Sequence, residues 1–257
     1  MSIYQHFRSD EKNFIDAVLD WKESVETFYA PKLTAFLDPR EQQILASVIG
    51  YSDDCKIAFF GGHEQAERKR VLLYPDYYSP KEEDFDMQLL DVSYNRKFAE
   101  LQHRQILGAL MSLGVKREKF GDVLLNDKAT QIIVAGDISD YVIANVTKIG
   151  HAGVTIAPKS FQEAIMVDQI WQESIMTSSS MRLDSLFSSM ANISRKKAQD
   201  YIAGGKVKVN HKLIEANDYD CREGDIVSVR GFGRCRILSI EGKTKKEKWR
   251  IVFGKQK

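Results

Sequence analysis

The sequence is short of cysteine, and the little it has is poorly placed for the usual uses. Cys55, Cys221 and Cys235 are odd in number, scattered, and include no Cys-x-x-Cys pair. A disulfide framework or a zinc knuckle needs paired or closely spaced cysteines, so reduced thiols are expected. Histidine is equally sparse, and the five present include no pair at i and i+4. His63-Glu64-Gln65-Ala66-Glu67 starts like a His-Glu-x-x-His zinc motif, but Glu67 stands where the second histidine is required. No apolar run approaches the roughly 18 residues that cross a bilayer. The opening MSIYQHFRSDEK lacks a signal-peptide pattern, so a cytoplasmic protein with no membrane partner is expected. Gly61-Gly62-His63 has no further glycine pattern of a nucleotide-binding turn, and no nucleophile sits beside a base in any local motif. These gaps leave no cofactor, no metal and no catalytic residue to assign.

What is present is a charge asymmetry hidden by a near-zero balance. The chain carries 37 Lys/Arg and 36 Asp/Glu, but residues 181–257 hold 18 basic against 9 acidic, a net of +9. Residues 1–180 are left with 19 against 27, a net of −8. An acidic body with a basic C-terminal quarter is the distribution of a protein in which one module meets a polyanion. At 257 residues, 43% of them hydrophobic, the chain is long enough to bury one to three cores.

Periodicity divides the chain into three expected domains, 1–80, 81–176 and 181–257. In the first, Phe14, Val18, Trp21, Val25 and Phe28 recur at steps of four and three, an apolar helical stripe. Asp38-Pro39-Arg40-Glu41 opens a second helix, with Asp38 as cap, Pro39 at the first helical position and Glu41 reaching back. Gly50 can end it, and Lys56–Phe60 and Arg70–Tyr74 read as strands. After the acidic break at Tyr77–Asp84 the order is strand (Asp86–Tyr94), helix (His103–Leu113), two strands (Gly121–Leu125, Gln131–Ala135), helix (Ile138–Thr147) and strand (Gly153–Ala157). This βαββαβ order is the ferredoxin-like frame that RRM domains share. The run Ile132-Ile133-Val134 has no aromatic on which a base could stack, so the middle domain is RRM-like in frame only. A helix over Phe161–Ser174 and a polar linker at Thr177–Ser180 are expected to lead into the basic module. The fold class is therefore α+β throughout.

In that module Leu183, Leu186, Phe187 and Met190 fall at i, i+3, i+4 and i+7, so one helix turns them inward and leaves Arg182, Ser185 and Ser189 outside. Ser194 can cap a second helix, Arg195–Ala203, which buries Ala198, Tyr201 and Ile202 and presents Arg195, Lys196 and Gln199 on its outer side. Cations in a first helical turn oppose the helix dipole, and a bound phosphate would reverse that penalty. Gly204-Gly205 stops the helix. Lys206-Val207-Lys208-Val209-Asn210 and Gly224–Arg230 follow as strands, and Gly231-Phe232-Gly233-Arg234 turns so as to project Arg230 and Arg234. The expectation is one cationic face built by the second helix and the Lys206/Lys208 strand. The charged tail Lys243–Lys248 reads as a hairpin turn.

Arg-Leu-Asp at 182–184, Ile-Ser-Arg at 193–195, Gly-x-Val-x-Val-Asn at 205–210 and Gly-Asp-x-Val-x-Val at 224–229 make this segment resemble the RNA-binding domain first described in the ribosomal protein called S-four. Such domains grip structured RNA through its shape and phosphates. The resemblance implies contact roles for Arg182, Ser194, Arg195, Lys196, Gln199, Lys206, Lys208 and Asn210, while Asp184 is expected to partner nearby cations or amides. His211 departs from the pattern, because many members place Gly after that Asn. With its helical N-terminal domain, RRM-like middle and S-four-type end, the chain is similar to the YlmH family. That resemblance implies binding to rRNA or tRNA on the large ribosomal subunit with peptidyl-tRNA, rescue of stalled nascent chains, and a link to cell division. A monomer is expected. The same RNA-binding domain is also carried by enzymes, so an RNA-modifying enzyme is the alternative. Pseudouridine synthases, however, place a large catalytic domain after the module, where this chain has only Glu241–Lys257.

Overall fold

The computed structural model of the chain describes residues 3–50, 54–167 and 171–256. They fall into two compact units, Met1–Val167 and Asp168–Lys257. No helix among the described residues is long and apolar enough to cross a membrane.

The first unit opens with α1 (Lys12–Phe28), which buries Ile15, Val18 and Val25. Phe28, expected to complete the apolar stripe, is instead 74% exposed, because the helix stops there and Tyr29 takes a left-handed conformation (φ 50). After the short β1 (Lys32–Leu33), α2 (Pro39–Ile49) starts on the expected capping box. Asp38 Oδ1 accepts from the amides of Arg40 and Glu41, both at 2.9 Å, and Glu41 accepts from the Asp38 amide at 2.6 Å. Gly50 (φ 61) ends it. Strands β2 (Lys56–Phe60) and β3 (Arg70–Tyr74) form where expected, and they pair in an antiparallel sheet ordered β1-β3-β2, packed under both helices through Ile15, Ile44, Leu45, Val71 and Leu73.

The same unit continues with β4 (Met87–Tyr94), α3 (His103–Met111), β5 (Phe120–Leu125), β6 (Thr130–Ala135), α4 (Ser139–Asn145), β7 (Lys148–Ile149) and β8 (Ala152–Lys159). The sheet order β5-β6-β4-β8-β7, antiparallel throughout, is the ferredoxin-like arrangement with one short edge strand added. Strand alternation sends Leu90, Val92, Ile132 and Val134 under α3 and α4, where they meet Ile106, Leu110 and Val142. Leu89, Leu124, Ile133 and Ala135 point the other way, and there Phe36, Phe161, Ala164, Ile165 and Val167 cover them. The face on which RRM domains stack bases is thus interior in this protein. Gly121 allows it: a Cβ there would stand 2.8 Å from the fully buried Phe36 ring.

The second unit comprises β9 (Trp171–Ser178), α5 (Leu183–Ala191), α6 (Arg195–Ala203), β10 (Val207–Val209), β11 (Lys212–Leu213), β12 (Ile226–Val229), β13 (Gly233–Lys243) and β14 (Trp249–Gln256). They form one antiparallel sheet ordered β11-β10-β12-β13-β14-β9 beneath the two helices. The helix expected over Phe161–Ser174 does not form in the described residues, and 168–170 lie outside them. A single 3-10 turn, Phe161–Glu163, is capped by Ser160, and from Trp171 the chain is a strand paired along its length with β14. Buried Met176 and Ser178 alternate there with exposed Ile175 and Thr177, a period of two that only a sheet satisfies. Nor is 177–180 a free linker. Ser178 Oγ lies 2.8 Å from Ser185 Oγ and donates to the Ser180 carbonyl, which makes Ser185 a buried residue rather than an outward one. The charged segment after Lys243 closes the β13–β14 hairpin, as expected.

Candidate nucleic-acid interface

Asp184 stands in the first turn of α5, where the helix dipole favours a carboxylate, and it is fully buried. Three side chains from the expected RNA-contact set converge on it. Arg195 donates side-on, Nε to Oδ2 at 2.9 Å and Nη2 to Oδ1 at 3.1 Å. Gln199 donates to Oδ2 at 2.9 Å, and Arg182, the α5 cap, donates more loosely at 3.3 and 3.4 Å. Burial alone would strongly oppose ionisation. The hydrogen bonds from Arg195, Gln199 and Arg182, with the charge of Arg195, outweigh it and hold the carboxyl at about 2. One negative charge thereby fixes two guanidiniums whose side chains remain 44% and 49% exposed. The outcome is a pair of tethered, half-exposed guanidiniums whose combined charge exceeds that of the one carboxylate between them, the chemistry that phosphate recognition uses.

The expectation that Arg195 and Gln199 simply face outward is corrected by this geometry, since both are tethered to Asp184. Lys196 fits the expectation better: its side chain is 83% exposed and lies 3.8 Å from Asp200. Ser194 caps α6 by accepting from the Lys197 amide at 3.2 Å. Lys197, also exposed, is absent from the expected contact set, although it continues the same cationic turn. Lys206 lies just before β10 and folds back so that its Nζ sits 5.3 Å from the Tyr201 ring, which itself packs edge-on against Phe187. It therefore belongs with the helices.

Lys208 does not. Val207, Val209, Val227, Val229, Cys235 and Ile237 all turn toward α5 and α6, and alternation puts Lys208, Ser228, Arg234 and Arg236 on the opposite face of the sheet. The single cationic face expected from the sequence is thus two faces. Asn210 is occupied structurally: it donates to Asp225 at 2.7 Å and accepts from the Ile226 amide at 2.9 Å. With His211 it forms a two-residue turn between β10 and β11, φ 48 and 67, so His211 adopts the left-handed conformation that glycine takes more readily. Arg230 is exposed at the turn after β12. Phe232 in that turn tucks against Phe187, under the Lys255 ammonium at 4.3 Å from its ring.

Comparison with known proteins identifies the domains. The YlmH N-terminal domain matches residues 10–78, the RNA-binding domain described in YlmH matches 80–163, and the S4 domain matches 181–227. The chain is 48% identical over 255 residues, 99% of each chain, to the ribosome-associated protein quality control protein P2 of Bacillus subtilis (strain 168). It is 43% identical over 51 residues, 20% of this chain and 21% of the other, to an uncharacterized RNA pseudouridine synthase of Aquifex aeolicus (strain VF5). The solved structure of the cell division protein ylmH from Streptococcus pneumoniae superposes with a TM-score of 0.54 at 34% identity, covering 64% of this chain and all of that one. The three matched domains, taken in order along the chain, and the similarity over 99% of the Bacillus protein place this chain in the YlmH family.

Proposed function

We propose that the protein binds structured ribosomal or transfer RNA on the large ribosomal subunit, acts in quality control of stalled peptidyl-tRNA, and performs no chemistry of its own. The observation that carries this is the Asp184 cluster, in which a buried carboxylate holds Arg182 and Arg195 half-exposed beside the open Lys196 and Lys197. Such an arrangement spends its polar groups on presenting cations. Asp184, with both oxygens taken by hydrogen bonds, is a structural anion rather than a base or nucleophile. The name of the Bacillus relative, similar over the whole chain, supports the ribosomal assignment, and that of the Streptococcus protein supports a link to cell division. The RNA-modifying alternative is left with a relative that shares only a fifth of each chain.

Co-sedimentation of the full chain with purified large subunits, with and without peptidyl-tRNA, tests the reading. Lys196→Glu/Lys197→Glu should abolish pelleting while the protein stays folded. Undiminished pelleting would remove this face from the proposal. Charge reversal at Arg195 is the wrong probe, because it would set a second carboxylate against buried Asp184.

A further inference from the structure

The cations that the register turns away from α5 and α6 form a surface of their own. Lys208 pairs with Ser228, and Ser228 with Arg234, so a row crosses β10, β12 and β13. Arg236 stands two residues along β13 on the same face, opposite Ile226 on one side and Gly254 on the other. Neighbouring strands lie roughly 4.8 Å apart, so the group spans on the order of 15 Å from β10 to β14. Lys208 and Arg236 are exposed.

Where the row reaches β14, the glycine leaves room for an indole. A Cβ on Gly254 would stand 2.6 Å from Trp171 Cβ and 3.2 Å from its Cγ, so Trp171 leans across the glycine from β9. Val252 and the 59% exposed Ile175, paired with each other, continue the face as an apolar strip. Glu173, opposite Gly254, stands at the edge of this patch, and farther along the same strands Glu241 is paired with Arg250 at 2.8 Å. A half-buried indole beside a ladder of arginine and lysine is the chemistry of a single-strand platform, with a base against the ring and phosphates on the cations. A protein partner would call for a larger apolar area and more balanced charge.

We infer that the helix-free face of the C-terminal sheet is a second RNA-contact surface, taking an extended single-stranded segment with a base against Trp171 and its backbone across Arg236, Arg234 and Lys208. This rests on the reading of the protein as an RNA binder, but it uses none of the residues around Asp184, so the two can fail separately.

The test uses the full chain and a fluorescently labelled oligouridylate. Lys208→Glu/Arg236→Glu should weaken binding about 10-fold or more, whereas Lys245→Glu/Lys246→Glu in the β13–β14 turn, with the same change in charge, should weaken it by less than about 3-fold. Equal weakening by both pairs, or none by the first, would overturn the inference. Tryptophan emission gives a second readout. Oligonucleotide binding should quench it, and Trp171→Phe, which leaves Trp21 and Trp249 in place, should remove most of that quench. A quench that survives Trp171→Phe would also overturn it. A protein that ignores large subunits yet loses the oligonucleotide on changing Lys208 and Arg236 would support the platform while refuting the ribosomal reading.

Discussion

Arg195 meets Asp184 edge to edge across the boundary of the α5–α6 core, a half-exposed guanidinium on a fully buried carboxylate at 2.9 and 3.1 Å. The pair resolves a local conflict in the chain. Three consecutive cations open α6, against the helix dipole, and the neighbouring helix supplies the anion that offsets the first of them. Asp184 is in turn kept ionised inside the protein by the groups it orients.

Arg195→Ala should therefore lower stability as well as RNA affinity. The aspartate keeps only Gln199 and the longer Arg182 contacts, and a buried charge that loses its best partner costs about 1–3 kcal/mol. Lys196→Ala should leave stability within about 0.5 kcal/mol while still weakening RNA binding. Urea denaturation of the two variants checks the contrast, and equal stability would show that the Asp184 contact contributes nothing.

Acid should act through the same aspartate. Its folded value of about 2 lies below the ordinary 3.8, so the stabilisation is complete above about pH 5 and is lost as pH falls through 4 toward 2. It amounts to on the order of 1–2 kcal/mol, allowing for water around the guanidiniums. Asp184→Asn should flatten this part of the stability–pH curve, measured by thermal melts between pH 2 and pH 6.

Phe36→Ala should destabilise the first unit by about 3–5 kcal/mol, because a fully buried ring packed on Gly121 and the covered face of its sheet would be removed. Calorimetry would read the loss. A shift below about 1 kcal/mol would mean that this sheet face is open after all.

The buried thiols should be inert in the native protein. Burial, aided by Asp225 and Asp220, pushes Cys221 up to about 12, and burial also raises Cys235. Iodoacetamide at mildly alkaline pH should label neither until denaturant is added. Rapid labelling of the native protein, followed by mass spectrometry, would contradict the packing.

The parts of the fold written in local chemistry are readable in the sequence. The Asp38–Glu41 cap, the Gly205 stop and the βαββαβ order all depend on residues within a few positions of one another. Strand β9 is not readable there, because Trp171–Ser178 includes Gln, Glu and Met, good helix formers, and becomes a strand only through pairing with β14, a distant strand near the end of the sequence. The covered sheet face is hidden for a similar reason, since Phe36 reaches it from a distant part of the chain. In the basic module, the alternation around Lys208 is plain, but the side on which the helices lie is not. That one fact of packing splits the expected cationic face in two and turns Arg195 and Gln199 from free contacts into tethered ones.

The salt dependence of binding to large ribosomal subunits tests the central claim most directly. Some five phosphate contacts at roughly 0.7 each predict that log K falls against log salt with a slope of about −3.5. Lys196→Ala/Lys197→Ala should make that slope shallower by about 1.4 with no change in melting temperature. Binding indifferent to salt, or a slope untouched by removing both lysines, would contradict the account.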